Sequence, residues 1–298
     1  MKELTFVVQG PYFPHTDRNH ISSDECFRTL RKYFPDSKII YSRSDNVVIP
    51  LEVLSLIDLI VCPDDVGPNQ AGCINSIPKF ENVNRQIHGV VAGLELVESI
   101  YCCKVRSDFK FINNNLIDIL PSLLVKASRF KGRLTILDIY SRTEYFKFGG
   151  RSYVDYHLSD FIFIGYSEDV IKYWKGELFG DTDKNYLHYD DYRTVEQMLG
   201  RRFYKNYFSN IEINSERNVS LEECLLAKSR IQEDFNFLPF KKLGLDIPRR
   251  FKRPYRDQAY FINGNIFGRL VYNLYFINKF ILKKSGLRDF WNKLKKIN

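Results

Sequence analysis

Two hydrophobic rhythms alternate along this chain. Short apolar runs bounded by Gly, Pro or Asp have the length and the Val, Ile and aromatic content of buried strands. Between them lie stretches with apolar residues three and four positions apart, the spacing of one helix face. Leu4 to Gln9 is the first strand, ended by Gly10-Pro11. Ser22/Ser23-Asp24-Glu25 opens a helix with Cys26, Phe27, Leu30 and Phe34 on one face, and Pro35-Asp36-Ser37 breaks it. Lys38 to Ser42 is a second strand, and Leu59 to Cys62 a third, ended by Pro63-Asp64-Asp65. A loop with Gly67, Pro68, Gly72 and Pro78 leads to a long helix over Asn82 to Ser99, with Ile87, Val90, Val91, Leu94 and Val97 on its apolar face. Tyr101-Cys102-Cys103-Lys104-Val105 is a fourth strand that runs into the charged corner Arg106-Ser107-Asp108.

The second half is less regular. Leu116 to Ala127 reads as a helix containing Pro121, Leu134 to Leu137 as a strand, and Gly149-Gly150 as a tight loop. Asp160 to Gly165 is a further strand, Ser167-Glu168-Asp169 opens a helix through Trp174, and another helix begins at Thr194. Strands alternating with helices at this spacing predict an α/β fold, a mostly parallel sheet with helices on both faces. No Gly/Ser-rich linker and no internal repeat divides the chain. Residues 1–260 therefore read as one catalytic-size domain, and residues 261–298 as a separate tail.

Composition narrows this further. The chain has 298 residues, 44% hydrophobic and 15% aromatic, enough for one large core. It contains no uninterrupted apolar run of transmembrane length, and the first residues enter a strand-like run without a signal-peptide pattern. The six cysteines, at 26, 62, 73, 102, 103 and 224, form no Cys-x-x-Cys pair and no zinc-like spacing. They read as reduced, small core residues of a cytosolic protein. Charge is uneven: from Phe261 to Asn298 eight basic residues face one acid, Asp289, so the tail's +7 nearly equals the +8 of the whole chain.

The polar residues at strand ends are where chemistry is expected, because open α/β sheets bind ligands at the carboxyl ends of their strands. Gln9-Gly10 follows the first strand, and Gly10 lets the backbone approach a ligand or simply turns the chain. Arg43 and Asp45 end the second strand, as phosphate and ribose contacts or as a solvated loop. Arg85, in the first turn of the long helix, offers a planar fork of donors or covers a surface turn. Asp108 faces a ligand at the end of the fourth strand, or caps the next turn, or pairs with Arg106. His157 and Asp160 form a second polar cluster, with His157 read as a base, a clamp or a satisfied structural histidine. Glu196 is a candidate base or the acidic first turn of its helix. Tyr189-Asp190-Asp191-Tyr192 is suited to stacking on a sugar or is a loop.

Several of these blocks, in order and spacing, resemble one family. They are Thr5 to Pro11, Arg31 to Ile40, Asn84-Arg85-Gln86, Lys104 to Asp108, His157 to Gly165 and Glu196-Gln197. Together they resemble the WavE lipopolysaccharide-synthesis family over about residues 4 to 205. The resemblance implies a GT-A-like (Rossmann-like) nucleotide-binding sheet and a glycosyltransferase, hexosyl or pentosyl, that moves a sugar from a nucleotide-sugar donor to a lipopolysaccharide or capsule acceptor. Taken with the strand-end chemistry above, donor contacts would come from Gln9, Gly10, Arg43, Asp45, Arg85, Arg106 and Asp108, and acceptor activation from Glu196, Asp160 or His157. A divalent cation (Mg or Mn) would sit on Asp108. Where GT-A enzymes often carry Asp-x-Asp, however, this chain has Arg106-Ser107-Asp108, which puts a cation in place of one carboxylate. A nucleotidyltransferase on a similar sheet, and a non-catalytic protein binding membrane or nucleic acid, are the alternatives.

The tail interleaves apolar pairs such as Leu270-Val271 and Phe290-Trp291 with its basic residues. As a helix it would lie on an anionic membrane, where each basic residue contributes ~1 kcal/mol, or pack on the catalytic domain, or form a nucleic-acid arm. The implied enzyme favours the membrane, because lipid-linked acceptors sit at the cytoplasmic leaflet, and it would then be cytoplasmic and peripheral at the inner face. Removing residues 261–298 is expected to reduce co-sedimentation with anionic vesicles, and raised salt should weaken the same interaction. Equal binding to anionic and neutral vesicles, or no change on deletion, would leave the packed helix instead.

Overall fold

The computed structural model describes residues 3–17, 19–74, 77–147, 150–179, 194–211 and 219–252. The expected tail at 261–298, Gly149 and the Tyr189 to Tyr192 patch lie outside the described residues. In chain order the elements are β1 (Leu4–Gln9), α1 (Ser23–Tyr33), β2 (Lys38–Ser42), α2 (Leu51–Leu54), β3 (Leu59–Val61), β4 (Asn69–Ile74), β5 (Ile77–Glu81), α3 (Val83–Leu94), β6 (Tyr101–Arg106), β7 (Lys110–Phe111), α4 (Asn115–Leu123), β8 (Leu134–Leu137), β9 (Arg142–Lys147), β10 (Gly150–His157), β11 (Ile162–Tyr166), α5 (Ser167–Trp174), α6 (Val195–Lys205), α7 (Leu221–Asp234), β12 (Phe235–Leu238) and β13 (Leu245–Asp246).

Seven strands form one sheet in the order β3-β2-β1-β6-β11-β8-β12. β1 pairs in parallel with β2 and β6, β2 with β3, and β8 with β12, whereas β11 runs antiparallel to both its neighbours. Side-chain alternation splits the core between the two faces. Phe6, Val8, Cys103 and Val105 pack with Phe27 and Leu30 of α1 and Leu116 and Leu120 of α4. Val7, Ile40, Cys102 and Phe163 pack with Ile87 and Val90 of α3, Trp174 of α5 and Phe203 of α6. The fold is thus α/β, as expected, a mostly parallel sheet with helices on both faces. No helix among the described residues is long and apolar enough to cross a membrane.

Local chemistry explains the boundaries. Ser22 caps α1 by accepting from the Glu25 amide, with Asp24 and Glu25 in the first turn and Arg31 and Lys32 in the last, each sign opposing the helix dipole. The long helix stops at Leu94 rather than Ser99, because the amides of Leu96 and Val97 turn back to the carbonyls of Gly93 and Leu94. Val97 still packs on the core, from a turn rather than from a helix face. The stretch read as a loop with Gly72 and Pro78 is instead the β4–β5 hairpin, in which Cys73 pairs with Pro78. Gly and Pro hid that hairpin, since both usually punctuate strands. Cys26, Cys102, Cys103 and Cys224 are buried, as expected, but Cys62 is exposed.

Two features set the second half against the sheet. α6 lies so close to β10 that a Cβ on Gly200 would stand 2.0 Å from the Tyr156 carbonyl oxygen. Arg201, fully buried, clamps the Asp155 carboxylate of β10 from Nε at 2.9 and 3.1 Å. Lys104 breaks the apolar rule in the centre of the sheet. It is 1% exposed, donates from Nζ to the Asp160 carbonyl oxygen at 2.5 Å and sits over the Trp174 ring at 5.0 Å.

Burial depresses the Lys104 ammonium from 10.5 to about 8, Asp160 opposing. Between those pH values an unfolded Lys104 holds a proton that the folded one has released, so unfolding takes up a proton and stability rises with pH. Relative to Lys104→Met, the wild-type unfolding free energy should therefore climb by about 3 kcal/mol from pH 8 to 10.5. Chemical denaturation of both proteins across that range reads the difference. Parallel curves would mean that Lys104 does not titrate there.

Candidate active site

β1 leads on to β2 and β3 on one side of the sheet, while β6 lies on the other, so the strand order reverses between β1 and β6. Crevices outside such a switch point are where open α/β sheets hold ligands. Gln9 and Arg106 are register partners at this position. Beyond them the chain turns at Gly10, whose φ of +134° and 2.8 Å approach of a would-be Cβ to Ser107 Oγ exclude a side chain. Ser107 closes the corner, its amide bonding the Gln9 carbonyl and its hydroxyl the Pro11 carbonyl.

A cleft of about 490 Å³ opens there. Six of the expected donor contacts line it: Gln9, Gly10, Arg43, Asp45, Arg85 and Arg106. His20, Gln86, His88 and Arg250, which the sequence reading did not assign to the site, line it as well. A second cleft, of about 310 Å³, contains the expected acceptor-side residues His157, Asp160 and Glu196, together with Glu81, Tyr140, Arg142 and Phe251. Arg106 and Gln86 line both clefts, so the two are contiguous.

The arginines differ in what they have left to give. Arg43, 6% exposed, ion-pairs with the Asp45 carboxylate and donates to the carbonyls of Asp45 and Val47. Those bonds tie Nε and Nη2 to the loop, so Arg43 helps build the wall of the cleft. Arg85 grips Asp65 with Nε and Nη2, both at 2.6 Å, and this holds the Asp65 carboxyl down at about 2. Asn84, its neighbour, is structural and exchanges two bonds with the Phe179 backbone.

Asp108 is where expectation and structure part. Its side chain is 0% exposed and does not line either cleft. Arg106 donates to Oδ1 at 2.9 Å and to Oδ2 at 3.3 Å, and Arg250 Nη2 donates to Oδ2 at 2.6 Å. A carboxylate committed to two guanidiniums presents no ligand face to the cleft. Among the described residues no group of three or more His, Cys, Asp or Glu stands together as a metal site. The donor set around Asp108 therefore does not fit a divalent cation.

In the second cleft, His157 cannot serve as a base in this arrangement. It is fully buried, with Nδ1 2.8 Å from the Tyr140 carbonyl and Nε2 2.9 Å from Thr194 Oγ1. The carbonyl requires a proton on Nδ1, so Nε2 accepts from the Thr194 hydroxyl. Tyr140, at φ +64°, holds its carbonyl in place from a left-handed conformation. His157 therefore positions Thr194, which caps α6 by accepting from the Gln197 amide. Glu196 follows in the first helical turn, 13% exposed, its Oε2 4.0 Å from His157 Nε2. Burial, reinforced by Asp160, raises its carboxyl from 4.5 to about 7 against the pull of Arg142. Asp160 is 3% exposed, its backbone carbonyl fixed by Lys104.

A family profile described as WavE lipopolysaccharide synthesis matches residues 4–294, farther than the motifs alone reach and through the basic tail. No curated protein matches the sequence. Among solved structures, S. aureus TarS 1-349 is similar over 69% of this chain and 56% of its own, at 11% identity and a TM-score of 0.37. The same TarS fragment in complex with UDP-GlcNAc is 13% identical, with 69% and 54% covered and a TM-score of 0.36. The 4-diphosphocytidyl-2C-methyl-D-erythritol synthase from Anaerococcus prevotii DSM 20548 is 9% identical, with 78% and 99% covered and a TM-score of 0.38. This chain thus spans little more than half the length of the TarS structures it matches.

Asp108→Asn leaves two guanidiniums facing a neutral amide inside the protein. Removing one partner of a buried pair typically costs about 3–5 kcal/mol. The variant should unfold at correspondingly lower denaturant, and a loss below about 1 kcal/mol, the scale of a surface ion pair, would mean that the clamp does not form.

Proposed function

This chain belongs to the WavE lipopolysaccharide synthesis family, and from that premise we propose that it is a glycosyltransferase. It takes a hexosyl or pentosyl unit from a nucleotide-sugar and places it on a saccharide or lipid-linked acceptor of lipopolysaccharide or capsule. The observation that carries this reading is the meeting of two chemically different clefts at Arg106. The first has the size and polarity for a nucleoside, with Gln9, Gly10 and Asp45 at the strand ends. The second collects the carboxylates Glu81, Asp160 and Glu196, suited to sugar hydroxyls and proton transfer. A donor lying across both puts its diphosphate near Arg106 and its anomeric carbon toward Glu196.

Glu196 is the base in this scheme. An acceptor hydroxyl attacks the anomeric carbon, its proton passing to the Glu196 carboxylate. The new C–O bond forms as the bond from that carbon to the phosphate oxygen breaks, and the nucleoside diphosphate leaves with the electron pair. Asp160, held by Lys104, orients the sugar, and His157 keeps Thr194 and the start of α6 in register. Residues 1–260 form the catalytic unit, and the basic 261–298 segment holds it against the anionic inner face of the membrane, close to lipid-linked acceptors.

A base with its carboxyl near 7 is idle while protonated. Release of nucleoside diphosphate from the preferred nucleotide-sugar, measured with a lipopolysaccharide-derived acceptor, should rise through about pH 7. Glu196→Gln should lower kcat roughly 10²–10⁴-fold and remove that limb. Turnover within threefold of wild type would reject Glu196 as base, and binding of nucleoside triphosphates in preference to diphosphates would point to nucleotidyl transfer instead.

A further inference from the structure

We propose that Arg106 and Arg250, seated together on buried Asp108, bind the donor diphosphate directly and take the place of a divalent cation. The inference rests on the glycosyltransferase reading above and specifies how that site handles phosphate charge. Arg106 stands where the clefts join, 21% exposed, and Arg250 lines the first cleft at 29% exposed. The other two arginines of that cleft each pair one-to-one with a carboxylate, Arg43 with Asp45 and Arg85 with Asp65, whereas Arg106 and Arg250 share one. The carboxylate that would hold a metal faces the guanidiniums instead and is sealed from the cleft.

Both guanidiniums are oriented before any ligand arrives. Asp108 fixes one side of each. Phe251 backs both, with centroid distances of 5.3 Å to Arg106 and 4.4 Å to Arg250. Arg250 is also held by His20, whose Nε2 accepts from Nη1 at 2.6 Å. That ring stacks on Phe13 at 4.1 Å, and its Nδ1 lies 3.3 Å from Asp17. Such a planar, pre-set pair of forks matches phosphate oxygens in shape and sign. Two guanidiniums against one carboxylate leave one net positive charge for the phosphates, and a nucleoside diphosphate gains negative charge as it leaves. The pair therefore favours departure without a metal.

Calorimetry on the full chain, with UDP, GDP, CDP and ADP in EDTA and again in magnesium or manganese, tests this. The preferred diphosphate should bind in EDTA with a Kd within about twofold of its value with metal. Arg250→Gln should weaken that diphosphate tenfold or more, yet change binding of the matching nucleoside less than twofold. Inorganic pyrophosphate should compete with the diphosphate on the wild type in EDTA and lose that competition on the variant. Arg250→Lys, which keeps the charge but not the fork, should recover part of the affinity, and this guards against a variant that merely misfolds. Diphosphate binding that requires metal, or equal loss of nucleoside and diphosphate in Arg250→Gln, would overturn the inference while leaving the glycosyltransferase reading intact. No diphosphate binding in either condition would remove both.

Discussion

The arrangement of the site depends on a single buried carboxylate. Asp108 sits at the end of the central strand, out of contact with water, and water cannot compensate its charge there. It must therefore be met by donors, and the donors it draws are Arg106 from its own corner and Arg250 from a position 142 residues along the chain. The demand of one interior charge thus pulls the end of the described chain back across the carboxyl edge of the sheet. Phe251 is carried along and stands in the wall of the second cleft. Asp108, with the Phe161 and Phe251 rings, fixes Arg106 at the junction of the clefts.

The same conflict between charge and burial recurs in the layer beneath. Lys104 is a cation inside an apolar sheet, and its one strong bond goes to the backbone of Asp160. Glu196 is an acid in the first turn of a helix, where the dipole favours ionisation, yet burial outweighs that pull and lifts its carboxyl toward neutrality. His157 is fully satisfied by a carbonyl and a hydroxyl. Each of these groups costs stability that a hydrophobic residue would not, and each is attached to a wall of one of the clefts. Strain gathers in the same place: Tyr140 and Tyr156 are the described non-glycine residues with positive φ, and they flank the His157 contacts.

The second cleft is assembled largely on the less regular half of the molecule. β9 and β10 form a hairpin separate from the main sheet, and α6 reaches it through the close contact at Gly200 and the buried Asp155–Arg201 pair. The first cleft rests on the parallel half, where the ends of β1, β2 and β6 meet the start of α3. The second cleft draws instead on hairpin edges and the start of α6.

Much of this was written locally in the chain. Apolar runs and helical spacing identified β1, α1, β2, β3, β6, β8, β11 and α5 close to their observed limits, and α3 with its end placed too late, at Ser99 instead of Leu94, because a strand buried on both faces is a continuous apolar run and a helix buried on one face is a 3.6-residue stripe. The same local reading brought Gln9, Gly10, Arg43, Asp45, Arg85 and Arg106 to one cleft and His157, Asp160 and Glu196 to the other, since strand ends converge in any sheet of this kind. It missed the β4–β5 and β9–β10 hairpins, where Gly, Pro and mixed polarity mask weak strands. It could not tell an arginine that shares a buried carboxylate with a second arginine, as Arg106 does, from one tied to its own loop, as Arg43 is, nor a metal ligand from an interior counter-charge, as Asp108 is. Those distinctions depend on which distant groups arrive at the same point. Arg250, His20 and Phe251 carry no local signal of that meeting, because long-range packing alone brings them to the Asp108 carboxylate.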